Sequence, residues 1–130
     1  MQASVQRGLE IGKNATLITA THASAIRTRD PRYNQVEGGV SVSIYRSLAT
    51  IAADIVLTGQ VGKRLFSGVD PLFGAIRRDT DSGGGIRIVR TTPFKRLFPS
   101  VGVQYERRDS SLPFYSYKQM GFTADLLYRF

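Results

Sequence analysis

Two carboxylates spaced two residues apart, Asp79 and Asp81 in "RRDTDSGGG", come closest in this chain to general acid–base chemistry. Both lie beside arginines and near a reversal, so they read as solvated ion pairs and not as a catalytic dyad. His22 is the single histidine, with Thr21 and Ser24 nearby but no Asp or Glu at ligand or triad spacing. One imidazole cannot hold a metal, so a structural role is expected. "DSGGG" lacks the following Lys-Ser/Thr of a phosphate cradle, and a strand stands where a helix is needed, so it reads as a flexible lead-in to a strand. Asn14-Ala15-Thr16 fits a glycosylation sequon by chance. No cofactor and no covalent chemistry are expected; the chain reads as a non-enzyme. A different chemistry is open to Arg77, Arg78, Arg107 and Arg108. If two neighbouring strands bring them together at one rim, they form a basic cluster for anionic lipid heads or acidic cargo.

The elements that must position these residues are strands. The chain has 130 residues, 42% apolar and 22% charged, with 13 glycines, no tryptophan and no cysteine. Disorder and disulfide scaffolds are excluded, and the class leans to all-β. A formal charge of +8 is spread from Arg7 to Arg129 without forming a block, which favours no single partner. Met1 opens a segment without the basic start, apolar core and cleavage site of a secretory signal. The most apolar stretch, "LATIAADIVL", contains Asp54 and falls far short of the roughly 20 residues of a membrane helix. Any membrane crossing must use strands.

Alternation at period two is clear in "QVEGGVSVSIY", where Val36, Val40, Val42 and Ile44 oppose Gln35, Glu37, Ser41, Ser43 and Tyr45. "DIVLTGQVGKRLF" sets Ile55, Leu57, Gly59, Val61 and Leu65 against Asp54, Thr58, Gln60, Gly62 and Arg64. "SVGVQYERR" and "GFTADLLYRF" divide in the same way, "GGGIRIVRTT" less cleanly, "ATLITATHASAIR" on β-propensity, and "SVQRGLEI" is a weak first strand. Compact reversals ("GKN", "SLATIAA", "TTPFKRLFP" with Pro93 and Pro99) alternate with longer, charged ones ("TRDPRYN", "SGVDPLFG", "RRDSSLPFY"). Outer-membrane barrels have short turns on one side, longer loops on the other, and strands apolar outside and polar inside.

The expected fold is therefore an antiparallel up-and-down meander of about six strands, the C-terminal part of a transmembrane outer-membrane β-barrel, forming an open curved sheet as an isolated chain. Bacterial single-chain barrels begin at eight strands, so N-terminal barrel strands are expected to be missing. Asp54, Gln60, Arg64, Gln104, Glu106, Asp125 and Arg129 are the expected lumen-facing residues. Phe122, Leu126, Tyr128 and Phe130 form the outward row of the last strand, with Phe130 at the periplasmic rim and lipid covering the row.

From about residue 55 onward, "GQVGKRLFSGVDPLFGAIRRDTD" and "FPSVGVQYERRDSSLPFYSYKQMGFTADLLYRF" resemble the C-terminal barrel of the surface lipoprotein assembly modifier (Slam) family. The resemblance is carried by Gly68 with Asp70, by Arg77, Arg78 and Asp79, by Pro99, by Tyr105, Glu106 and Arg107, by Ser111, by Tyr115 and Tyr117, and by Phe130; Leu112 and Pro113 depart from the family's Ser-Asn loop. It implies location in the bacterial cell outer membrane, a terminal strand (Phe122, Leu126, Tyr128, Phe130) read by the barrel-assembly machinery, and delivery of lipoprotein or related polypeptide cargo to the surface. The family's periplasmic helical-repeat domain has no counterpart in these residues. Two alternatives stand beside this expectation: a porin or polysaccharide-export barrel, and a soluble basic β-domain binding nucleic acid through Tyr and Phe beside Arg. Aromatics gathered at strand ends and loops argue against the last, so no nucleic acid is expected.

Overall fold

The computed structural model describes residues 1–91 and 96–128 and consists of one antiparallel sheet. Its strands are β1 (Gln2–Gly12), β2 (Ala15–Ile26), β3 (Gln35–Leu48), β4 (Ala53–Val69), β5 (Ile76–Arg90), β6 (Leu97–Ser110) and β7 (Tyr117–Tyr128), each paired with its neighbour in sequence. The meander thus has seven strands and not six. The weak first strand read from "SVQRGLEI" is a full member of the sheet, β1, and its period-two signal is weak because Arg7 falls in the same row as Val5 and Leu9.

Register aligns the rows seen strand by strand into two continuous faces. Ile44, Leu57, Ile86, Val103 and Phe122 lie directly opposite one another in succession from β3 to β7 on the apolar face. On the other face Ser41, Gln60, Gly83, Glu106 and Gln119 do the same. Among the described residues the only buried apolar side chains are Ala53 and Leu112, while Phe122 is 79% exposed and Val36, Val101, Met120 and Leu126 are all more than half exposed. A single-layer sheet has no second layer to make a dry core, so its apolar face stands uncovered.

The polar face is the inner side of a curl. One hollow of ≈ 260 Å³ is bounded by residues running from His22 on β2 through Glu37, Arg64, Asp81 and Arg108 to Tyr117 on β7. Six strands spaced about 4.8 Å apart reach one small hollow only if the sheet wraps round it. Close approach on that side fits: a Cβ at Gly39 would lie 2.7 Å from the His22 ring and 2.8 Å from the Val61 carbonyl, whereas one at Gly59, on the apolar face, would meet nothing within 4 Å.

The apolar residues form an oblique band. On β3 they run from Val36 to Ile44 and stop at Arg46; on β7 they run from Met120 to Tyr128 and stop at Lys118. Met120 pairs through Tyr105, Gly84 and Gly59 to Val42, so the band's margin moves six residues, from Val36 to the level of Val42, across four strand spacings. At ~3.4 Å per residue and ~4.8 Å per strand, the band is inclined about 45° to the line perpendicular to the strands.

Connections alternate in length from one end to the other. β1 passes to β2 through Lys13 and Asn14, and β3 to β4 through a 3-10 turn, Ala49–Ile51, closed by Ala52 in the left-handed region (φ 48). At the opposite end lie residues 27–34, Asp70 to Ala75 and Ser111 to Ser116, with 3-10 turns Pro31–Tyr33 and Pro113–Tyr115. Two boundaries differ from the sequence expectation. Pro99 belongs to β6 and pairs with Leu126, in a stretch where pairing to β5 has not yet begun, so its missing N–H costs no bond on that side. Pro93 lies outside the described residues. The glycines of "DSGGG" are mid-strand in β5, not a lead-in, because β5 begins at Ile76.

Candidate functional site

Side chains on the curled-in face are joined into a row that crosses six strands. Ser24 on β2 donates to Glu37 on β3 at 2.9 Å, and Glu37 accepts from Arg64 Nε on β4 at 3.1 Å. Arg64 reaches Asp81 on β5 at 3.7 Å, Asp81 accepts from Arg108 Nε on β6 at 2.6 Å, and the Arg108 guanidinium lies 5.1 Å from the centre of the Tyr117 ring on β7. The sequence builds this row locally. Glu37 lies directly opposite Ser24 and Arg64, and Arg108 directly opposite Asp81 and Tyr117, so the register brings these partners together; Arg64 faces Asp79 and reaches Asp81 diagonally. Acid and base alternate along the row, the arrangement that stabilises cross-strand pairs.

Asp79 extends the row towards the long-loop end. Its side chain has no exposed surface; Arg77, 2.6 Å away, grips it through two nitrogens, and Arg108 stands 3.8 Å off. The expectation of a solvated ion pair fails here, because Arg77 is itself covered by Phe66 and Tyr115, whose ring centres lie 4.7 and 3.8 Å from its guanidinium carbon. Towards the short-turn end a second cluster joins Arg87 to Asp125, with Ser100 Oγ accepting from Arg87 at 3.0 Å. Between the two, Gln119 donates to Glu106 at 2.8 Å.

At the long-loop end, the Tyr115 hydroxyl donates to Asp70 at 2.7 Å, and the backbone N–H groups of Leu72 and Phe73 donate to the other carboxylate oxygen. The Tyr115 hydrogen bond, with these N–H groups, holds the Asp70 carboxyl below the usual carboxylate range, and the same bond raises the Tyr115 phenol. Phe73, Phe114 and Tyr115 pack edge to face or tilted at 5.6–6.2 Å, tying the β4–β5 loop to the β6–β7 loop. Gly68 permits the β2–β3 loop to close over both, since a Cβ there would sit 2.3 Å from the Arg32 Cα.

Of the residues singled out from sequence, Asp54, Gln60, Arg64, Gln104, Glu106 and Asp125 share the curled-in face; Arg129 and Phe130 lie outside the described residues. Phe122, Leu126 and Tyr128 share the outward face of β7. The four arginines expected to cluster at one rim divide. Arg77 and Arg108 join the ion pairs of the inner face, whereas Arg78, opposite Leu65, and Arg107, opposite Ser82, point outward. Adjacent residues of a strand face opposite ways, so an Arg-Arg dipeptide cannot keep both side chains on one surface. Glu37 stands on the polar side of its repeat in the sequence, and Asp79, Asp81, Arg87 and Arg108, which are outside the expected lumen-facing set, share the inner face with it; their partners follow only from register. Tyr33, Phe73, Phe114 and Tyr115 lie in loops and Tyr117 and Tyr128 at strand ends, whereas Tyr105 and Phe122 sit well inside their strands. His22 lies over Gly39 on the inner face. Asp70, Arg77, Asp79, Ser111 and Tyr115, which carry the family resemblance, converge at the long-loop end, where Ser111 Oγ also accepts from the Arg78 N–H at 2.9 Å. No family model, curated protein or solved structure matches this sequence.

Proposed function

We propose that this chain is a strip of a bacterial outer-membrane β-barrel of the surface lipoprotein assembly modifier kind, with its apolar face in lipid and its charged row lining a polar lumen through or beside which lipoprotein or related polypeptide cargo reaches the surface. The observation that carries the reading is the uncovered apolar band that crosses β3 to β7, backed by an inner face on which Arg64, Arg77, Arg87 and Arg108 are each paired with a carboxylate. Monomeric soluble proteins rarely expose a contiguous apolar face of this extent, and one that is exposed marks a surface for membrane or partner. Lipid covers it without requiring a second layer, and the oblique course of the band matches the ≈ 35–45° tilt of strands in transmembrane barrels. Short turns then face the periplasm and long loops the exterior. The outer edges of β1 and β7 are unpaired in the sheet, and each unsatisfied backbone group in hydrocarbon costs several kcal/mol, so further strands complete the wall. The outward row Phe122, Leu126 and Tyr128, with Phe130 by its place in the two-residue repeat of the sequence, is what the barrel-assembly machinery reads. Along the inner row Glu37, Arg64, Asp81 and Arg108 alternate in sign and cancel one another, which suits passage over capture.

The sequence has no cysteine, so single-cysteine scanning of β3 tests the reading directly. Labels at Val40, Val42 and Ile44 in membranes are expected to be quenched by lipid-soluble agents, and labels at Ser41 and Ser43 by water-soluble ones. Water-soluble quenching at all five positions would overturn it.

A further inference from the structure

We infer that Lys63, Arg78, Arg107 and Lys118 form an outward-facing site for phosphate-bearing lipid headgroups. The inference rests on the barrel reading and goes beyond it. All four residues are exposed and lie on the apolar face: Lys63 opposite Gly38 and Thr80, Arg78 opposite Leu65, and Arg107 opposite Ser82 and Lys118. Inner-face arginines Arg64, Arg77, Arg87 and Arg108 each hold a carboxylate. Among the described residues no carboxylate lies within ion-pair distance of Lys63, Arg78 or Lys118, and Arg107 has only Asp109, at 2.7 Å.

Arg107 and Lys118 are directly paired across β6 and β7. Like charges directly opposite one another destabilise a sheet, and nothing in the protein offsets this pair fully. An anion seated over it does, and the Thr80 and Ser82 hydroxyls beside it on β5 supply further donors of the type phosphate oxygens accept. The site's position specifies which anion. Lys118 immediately follows the apolar margin at Met120, Arg107 the margin at Tyr105, and Lys63 lies between Val61 and Leu65, from where its long stem extends to the membrane surface. A phosphate held there belongs to a molecule whose acyl chains lie on the adjoining band, in the leaflet on the long-loop side. A phosphate free in water has no reason to prefer the edge of an apolar face.

The test compares the full chain with K63Q/R78Q/R107Q/K118Q and with K13Q/R46Q/R90Q/R96Q, which removes the same formal charge from the short-turn side. Association is measured with phosphatidylcholine vesicles lacking or containing diphosphoryl lipid A, with sheet content checked by circular dichroism. The parent chain and the short-turn variant are expected to prefer the lipid A vesicles by at least about tenfold, and the first variant to lose that preference while still binding phosphatidylcholine. Equal loss in both variants, no preference in the parent chain, or abolition of the preference by inorganic phosphate would overturn the inference and leave the barrel reading standing. Failure of the parent chain to bind either vesicle would remove the barrel reading itself. Vesicle binding displaced by single-stranded DNA and weakened in Tyr105→Ala would overturn both in favour of a nucleic-acid surface.

Discussion

Asp79 and Arg77, two residues apart on the inner face of β5, form an ion pair in which the carboxylate side chain is wholly covered and the arginine side chain is 16% exposed. Removing one member of such a pair leaves the other desolvated and uncompensated. Asp79→Ala is expected to destabilise the folded chain by about 3 kcal/mol, the low end for a broken buried pair because Arg108 retains Asp81. Denaturant unfolding in detergent or bilayers measures this. A loss indistinguishable from that of Asp109→Ala, whose pair with Arg107 is about half exposed on both sides, would show that burial of Asp79 is of no energetic consequence.

The two faces differ in what they tolerate. Arg at Val42 or Leu57 is expected to cost roughly 2–4 kcal/mol near the bilayer midplane, and Arg at Ser41 or Ser43 much less. Val42→Leu is expected to be nearly silent, since fluid lipid demands no jigsaw fit, whereas a packed core registers added bulk by roughly 1–3 kcal/mol. Large penalties for both Val42→Arg and Val42→Leu would return the sheet to a soluble core.

Crowding on the curled-in face has its own signature. Gly39→Ala drives a methyl to 2.8 Å from a backbone carbonyl that cannot swing away, and is expected to cost roughly 1–3 kcal/mol. Gly59→Ala meets open space and loses a flexible residue from the unfolded chain, so its expected effect is neutral to stabilising. Equal effects in parallel unfolding measurements would mean that the sheet is not wrapped towards the polar side.

The loop link has a pH dependence of definite sign. Because the Tyr115 hydroxyl lowers the Asp70 carboxyl, the stabilisation is complete above the unfolded value of about 3.9 and is lost as pH falls through the lowered folded value. In Tyr115→Phe, the Asp70 titration followed by carboxyl-carbon NMR is expected to rise towards the ordinary value, with faster amide exchange at Leu72 and Phe73. An unchanged midpoint would assign the shift to the backbone N–H groups alone.

The sequence by itself determined the faces. Val40, Val42 and Ile44 against Ser41, Ser43 and Tyr45 can be separated by nothing but the two-residue repeat of a strand, and the compact and long reversals alternated before any pairing was known. It also held, unused, the division of Arg77 from Arg78 and of Arg107 from Arg108, because neighbours in a strand must point opposite ways. Where the signal is diluted the sequence says less: Arg7 in an apolar row weakens the pattern of β1, and Pro99 resembles a turn residue because a lone proline cannot reveal on which side its strand is paired.

Only the tertiary structure decided which charges meet. Period two says that Asp81 and Arg108 can share a face, but their 2.6 Å contact depends on a register set by the whole length of β5 against β6, and a shift of two residues would keep every face intact while breaking the row. The same holds for Arg107 facing Lys118 and for the burial of Asp79 beneath Arg77. Parity is a property of one strand, whereas contact belongs to the alignment of several, and the curl that brings β2 and β7 around one hollow arises from all of them together.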